Sequence, residues 1–116
     1  MVDLNIATSG SSSTVSGSSA PVYSTMADDP EFRELLEMFA AEMVERRSDL
    51  TASFQAGDIE ALRMKAHQLK GAGGGYGFDG LTTVAADLEQ ACKDGNLPRI
   101  AATLEQTLHY LSRIAI

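Results

Sequence analysis

Cysteine is nearly absent from this sequence: Cys92 stands alone among 116 residues. A single thiol forms no intrachain disulfide and no multi-thiolate metal site, and its scarcity fits a reducing compartment. Basic residues are scarce as well, nine Lys and Arg against sixteen Asp and Glu, for a formal net charge of −7. Nucleic acid and anionic membrane both demand a basic surface that displaces counterions, so neither is expected as a partner. The chain has no run of about 18 apolar residues, and its N-terminus shows neither a basic region nor an apolar leader segment. These absences predict a cytoplasmic location. No phosphate-cradling glycine loop of the nucleotide-binding kind is present, so kinase chemistry of its own is not expected.

What the N-terminus does have is Ser, Thr, Gly and small residues, as in Ser9-Gly10-Ser11-Ser12-Ser13-Thr14 and Ser16-Gly17-Ser18-Ser19. Too few large apolar side chains occur there to offset the entropy of ordering, and residues 1–27 read as a flexible tail or linker. The remainder, residues 28–116, is expected to fold as one small domain of about 90 residues.

Four helices can be placed in that remainder. Asp28 or Asp29 caps the first, Pro30 suits its first turn, and Phe32, Leu35, Leu36, Phe39, Met43, Leu50 and Phe54 recur at helical spacing until Gly57. Asp58 caps the second, whose apolar stripe is Ile59, Leu62, Ala66 and Leu69; Gly73 to Gly77 reads as its unwinding end. The third is expected to open with Asp79 as cap, to turn Leu81, Val84, Ala85, Leu88 and Cys92 inward, and to stop at Gly95. Asn96-Leu97-Pro98 starts the fourth, with Ile100, Leu104, Leu108, Leu111 and Ile114 inward. No stretch alternates as a strand would. Amphipathic helices joined by short connections predict an all-α, antiparallel, up-down-up-down four-helix bundle behind a disordered N-terminal tail.

The chemistry-bearing residues cluster on the second helix. At about 100° per residue, Glu60, Arg63, His67, Lys70, Gly71 and Gly74 fall opposite the apolar stripe, so His67 faces outward. Lys70 lies one turn on and Arg63 one turn back, each able to set a positive charge beside a group carried on the imidazole. Gly71 costs a helix about 1 kcal/mol relative to alanine, an expense that makes sense where something bulky must approach the ring. On the antiparallel third helix, Glu89 falls within reach of the level of His67. It is either a carboxylate that orients the imidazole or an exposed surface glutamate. Met64, Gln68 and Gly71 flank His67 as a shallow patch on which a partner helix can pack.

The run AHQLKGAGGGYGF, followed by Leu81 and then Asp87-Leu88-Glu89, resembles a histidine phosphotransfer (HPt) domain, the phosphorelay module of two-component signalling. It is similar also to the phosphotransfer domain of chemotaxis-type histidine kinases. The resemblance implies that His67 is phosphorylated, that Lys70 assists the phosphoryl group, that Gly71 leaves it space, and that Glu89 stands where the chemotaxis-type domains place an imidazole-orienting glutamate. It further implies a phosphoryl carrier, not an enzyme with kinase activity. The carrier is expected to be a monomer with no cofactor of its own, exchanging phosphoryl groups with a sensor or hybrid histidine kinase and with a response-regulator receiver domain that supplies the aspartate and Mg²⁺. Two other readings are open: a non-catalytic helical interaction bundle, and a metal-binding bundle using His67, His109 and carboxylates. The second lacks the Glu-x-x-His pairs typical of carboxylate-bridged metal bundles.

Overall fold

The computed structural model describes residues 20–115. Four α-helices carry the fold, α1 (Arg33–Gln55), α2 (Ile59–Gly75), α3 (Asp79–Asp94) and α4 (Leu97–Arg113), and they form an antiparallel four-helix bundle. A turn of 3-10 helix, Pro30–Phe32, leads into α1, and the Asp29 carboxylate accepts the Glu31 amide there. Asp58 and Asn96 cap α2 and α4 in the same way, accepting the amides of Ala61 and Arg99. Each of these side chains satisfies an N–H that the first turn of a helix leaves without an intrahelical partner. At α3 the expected cap is displaced by one residue: Phe78 occupies the cap position without a side-chain bond, and Asp79 is the first helical residue. Gly95 ends α3 with φ of 68°, the left-handed geometry that glycine adopts without penalty.

The core is built from the predicted stripes. Leu62, Ala66 and Leu69 of α2, Leu81, Ala85, Leu88 and Cys92 of α3, and Ile100, Leu104 and Leu111 of α4 are buried together with Leu36, Phe39, Met43 and Leu50 of α1. Ile59, Val84, Leu108 and Ile114 pack on the rim of this cluster. Phe32 and Leu35 depart from expectation, since both are exposed. One stripe of α1, Leu36, Phe39, Met43 and Leu50, packs against α2 and α4, and Phe32 and Leu35 lie outside it. Phe39 stacks on Tyr76 at 4.5 Å between centroids and on Phe78 at 5.4 Å, which closes the end of the bundle where α2 turns into α3.

Two features at that end were not anticipated. Helix α2 ends at Gly75, inside the expected Gly73 to Gly77 run, but Gly73 is still helical and is buried where α2 and α3 meet. A Cβ at Gly73 would lie 2.8 Å from both the backbone nitrogen and the hydroxyl of Thr82 and 3.0 Å from the Phe78 carbonyl, so this glycine permits close approach of two helices. The Thr82 hydroxyl uses the proximity to donate to the Lys70 carbonyl at 2.9 Å.

The second feature is an N-terminal strap. Residues 20–27 lie within the expected tail, yet Val22 pairs with the end of α4 through Val22 N–H to Arg113 C=O (2.7 Å) and Ala115 N–H to Val22 C=O (2.8 Å). The strap then crosses the α2–α3 turn, where Ser24 Oγ donates to the Tyr76 carbonyl at 2.6 Å and the Thr25 amide to the Gly77 carbonyl at 2.9 Å. The part of the expected tail before Ala20 lies outside the described residues. Among the described residues no helix is long and apolar enough to cross a membrane.

The glycines of α2 therefore separate by cause. Gly73→Ala is expected to lower the unfolding free energy by about 1–3 kcal/mol through overpacking. At Gly71 an added Cβ meets nothing within 4 Å, and Gly71→Ala is expected to raise stability by up to about 1 kcal/mol. Urea denaturation of the two variants, followed by helical circular dichroism, measures both signs.

Candidate functional site

Helix α2 buries Leu62, Ala66 and Leu69 completely, which turns the intervening His67 away from the core; its side chain is 65% exposed. Helix α3 answers with Glu89. This residue follows the buried Leu88, and its side chain is only 5% exposed, so it is not the surface glutamate that one reading of the sequence allowed. The close α2–α3 contact at Gly73 and Thr82 brings the two helices together so that Glu89 reaches the middle of α2.

Three nitrogens surround the Glu89 carboxylate. His67 Nδ1 lies 2.9 Å from Oε2, Lys70 Nζ 2.7 Å from Oε1, and Lys93 Nζ, one turn further along α3, 3.7 Å from Oε2. A carboxylate this buried keeps its charge only if it is paired and hydrogen-bonded. The hydrogen bond from Lys70 outweighs the cost of burial and, with the contact to His67 and the charges of Lys70 and Lys93, holds the Glu89 carboxyl down at about 2. An acceptor at Nδ1 selects the tautomer with hydrogen on that nitrogen, leaving the lone pair at Nε2 facing solvent.

The structure thus brings together His67, Lys70 and Glu89, and leaves Gly71 exposed beside them with open space above it. Arg63 does not join them. Its guanidinium is engaged by Glu60, with Nε donating at 3.1 Å and a second, closer contact through Nη2. That pairing raises the Arg63 pKa and lowers that of Glu60, and the charge of Glu89 reaches Arg63 only as a lesser influence. The expectation of a second cation one turn before His67 is therefore replaced by Lys93 one turn after Glu89. Sequence reasoning passed over Lys93, although its i,i+4 spacing from Glu89 was a usable signal.

Around the imidazole, Met64 is 52% exposed, and Gln68 and Gly71 are exposed as the helical wheel implied. Arg46 of α1 donates to Gln68 Oε1 at 3.4 Å and binds Glu42 on its other side, so α1 borders this surface. Met38, two turns before Arg46 and on the same side of α1, is 64% exposed. His109 is exposed on α4. Among the described residues, no group of three or more His, Cys, Asp and Glu side chains assembles as a metal-binding set.

An outward imidazole held by a buried carboxylate, with a lysine and a glycine one turn on, is the arrangement that the resemblance implied. The sequence model described as "Hpt domain" matches residues 34–115, from the first turn of α1 to the end of the bundle. The chain belongs to the Hpt domain family. Membership of the Hpt family carries a histidine phosphotransfer role in phosphorelays, and with it interaction with receiver domains and kinases. No match to the chain was found among curated proteins or among solved structures.

The Glu89 site has a pH signature. Its folded pKa of about 2 lies below the ordinary value of 4.5, so the unfolded chain binds more protons between these limits. The stability that Glu89 contributes is complete above about pH 4.5 and is lost as pH falls toward 2. Urea unfolding across that range is expected to show a shallower acid-induced decline in Glu89→Gln than in the unaltered protein. Equal slopes would show that the carboxylate is not held in this way.

Proposed function

We propose that His67 of this Hpt domain accepts a phosphoryl group at Nε2 from a receiver-domain aspartyl phosphate and returns it to a second receiver aspartate. The observation that carries this reading is the contact of Glu89 Oε2 with Nδ1 at 2.9 Å, which leaves Nε2 as the one ring nitrogen with a free lone pair.

In the forward step the Nε2 lone pair attacks phosphorus. The N–P bond forms as the bond between phosphorus and the aspartyl oxygen breaks, and the partner recovers its carboxylate. The Nδ1 proton stays in place, so the ring acquires a positive charge while the phosphoryl group keeps its two negative ones. Charge is balanced without proton release. Glu89, ionised throughout the neutral range, faces the nitrogen that shares this new positive charge and stabilises it. Lys70 supplies a mobile ammonium for the phosphoryl oxygens, and the open space at Gly71 admits the partner. The receiver contributes the aspartate and a Mg²⁺ ion, which neutralises charge on the transferring group. The exposed face of Met64, Gln68 and Gly71, bordered by Arg46 of α1, is the docking surface in this reading.

Incubation with a phosphorylated receiver domain tests the assignment directly. The unaltered protein is expected to take up acid-labile, alkali-stable phosphate and His67→Gln none; equal labelling of the two would refute phosphotransfer through this residue and favour a bundle that only binds partners. Within the same assay Lys70→Ala is expected to slow loading far more than Arg63→Ala, because Arg63 is engaged by Glu60. Substitution of Gly71 by leucine is expected to block loading while leaving the helix intact.

A further inference from the structure

Glu89 faces a problem during transfer. In the resting protein, Lys70 Nζ sits 2.7 Å from Oε1, yet the same ammonium, one turn on from His67, is the cation that the proposed transfer gives to the phosphoryl group. If it turns to the phosphoryl oxygens, a carboxylate oxygen in a side chain only 5% exposed loses its donor. Leaving a buried charged acceptor unsatisfied is costly, and the cost would fall on the phosphorylated state.

Lys93 is at hand on the other oxygen of the same carboxylate, Oε2, where a closer ammonium would compensate the charge that Lys70 leaves behind. It projects from α3 one turn beyond Glu89, its Nζ is 3.7 Å from Oε2, and its side chain is half exposed, so it has both proximity and room to move. At 3.7 Å the ammonium is an ion-pair partner but is too far for a hydrogen bond; a shift of under about 1 Å would make one. The remaining site cation, Arg63, is bound to Glu60 and not available. We propose that Lys93 is the exchange cation of the site: as Lys70 swings from Glu89 to the phosphoryl group on His67, the Lys93 ammonium closes on the carboxylate and keeps it ionised and hydrogen-bonded against Nδ1–H. No bond beyond those of the transfer itself is made or broken, and no proton moves. Lys93 is a positioning residue here, acting on the imidazole through Glu89.

This inference rests on phosphotransfer through His67, and its test separates the two. Single-turnover loading from a phosphorylated receiver domain is measured against receiver concentration for the unaltered protein, Lys93→Gln, Lys93→Arg, Glu89→Gln and the Lys93→Gln/Glu89→Gln pair, each checked for folding by helical circular dichroism. Lys93→Gln is expected to lower the maximal loading rate about fivefold, the scale of one partly exposed ion pair, with the half-saturating receiver concentration unchanged. Lys93→Arg should restore the rate. In the Glu89→Gln background, where there is no carboxylate to hold, Lys93→Gln should cost nothing further. A loss that persists undiminished in that background, or that appears only in the half-saturating concentration, would place Lys93 on the phosphoryl group or the partner and overturn the exchange. So would a Lys93→Gln rate equal to the unaltered one. Failure of the unaltered protein to load at His67 would instead overturn the phosphotransfer reading, and the exchange with it.

Discussion

The charge on Glu89 is the constraint on which the rest of the site depends. A carboxylate removed from water must find partners nearby, and here they are the donors His67 and Lys70 and the ion-pair partner Lys93, drawn from two helices. The three contacts answer the desolvation cost and, in the same act, fix the imidazole's tautomer and orientation. In the proposed transfer, the nucleophile is therefore set by a group that never touches phosphorus. An exposed histidine without this anchor would present either nitrogen and rotate freely about its side-chain bonds. The buried carboxylate converts a surface side chain into a directed one.

That arrangement needs α2 and α3 close together, and the backbone provides it at some distance from the chemistry. Gly73 lets the helices meet, Thr82 ties across to the Lys70 carbonyl, and the strap and stacked rings Phe39, Tyr76 and Phe78 hold the turn between them. Precision at His67 is thus a property of the helix pair as a whole. Lys70 belongs to both parts: its carbonyl is held in the helix contact while its ammonium serves the site.

Much of this was legible in the residues. The core stripes of α2, α3 and α4 follow the 3.6-residue period, Asp58 and Asn96 announce their helices, and the wheel places His67 opposite Leu62 and Leu69. Glu89 could be placed at the right level by counting along antiparallel helices, but its burial could not, because adjacent helix positions differ by about 100° and a small rotation decides between core and surface. The Gly73 to Gly77 run did mark the end of α2, at Gly75, but the packing role of Gly73 was missed because glycine reports absence of a side chain without saying whether conformation or space requires it. The strap was invisible for a related reason: Val22, Ser24 and Thr25 bind mainly through main-chain and hydroxyl groups, and backbone pairing leaves no trace in hydrophobic period. Neither did the sequence show that Glu60 engages Arg63, although the i,i+3 spacing permitted it.

The pairing of Val22 with the end of α4 also fixes where the folded unit meets the rest of its world. The Ala20 carbonyl accepts from Arg113 Nε at 2.9 Å, so the chain enters and leaves the bundle side by side. His67 lies eight residues before the last residue of α2, roughly 12 Å along the helix from that end. Anything joined through these two points holds the bundle by one end, as a lollipop is held by its stick. A unit attached in that way keeps the face around His67 clear of its attachment, as the phosphotransfer proposed for it would require.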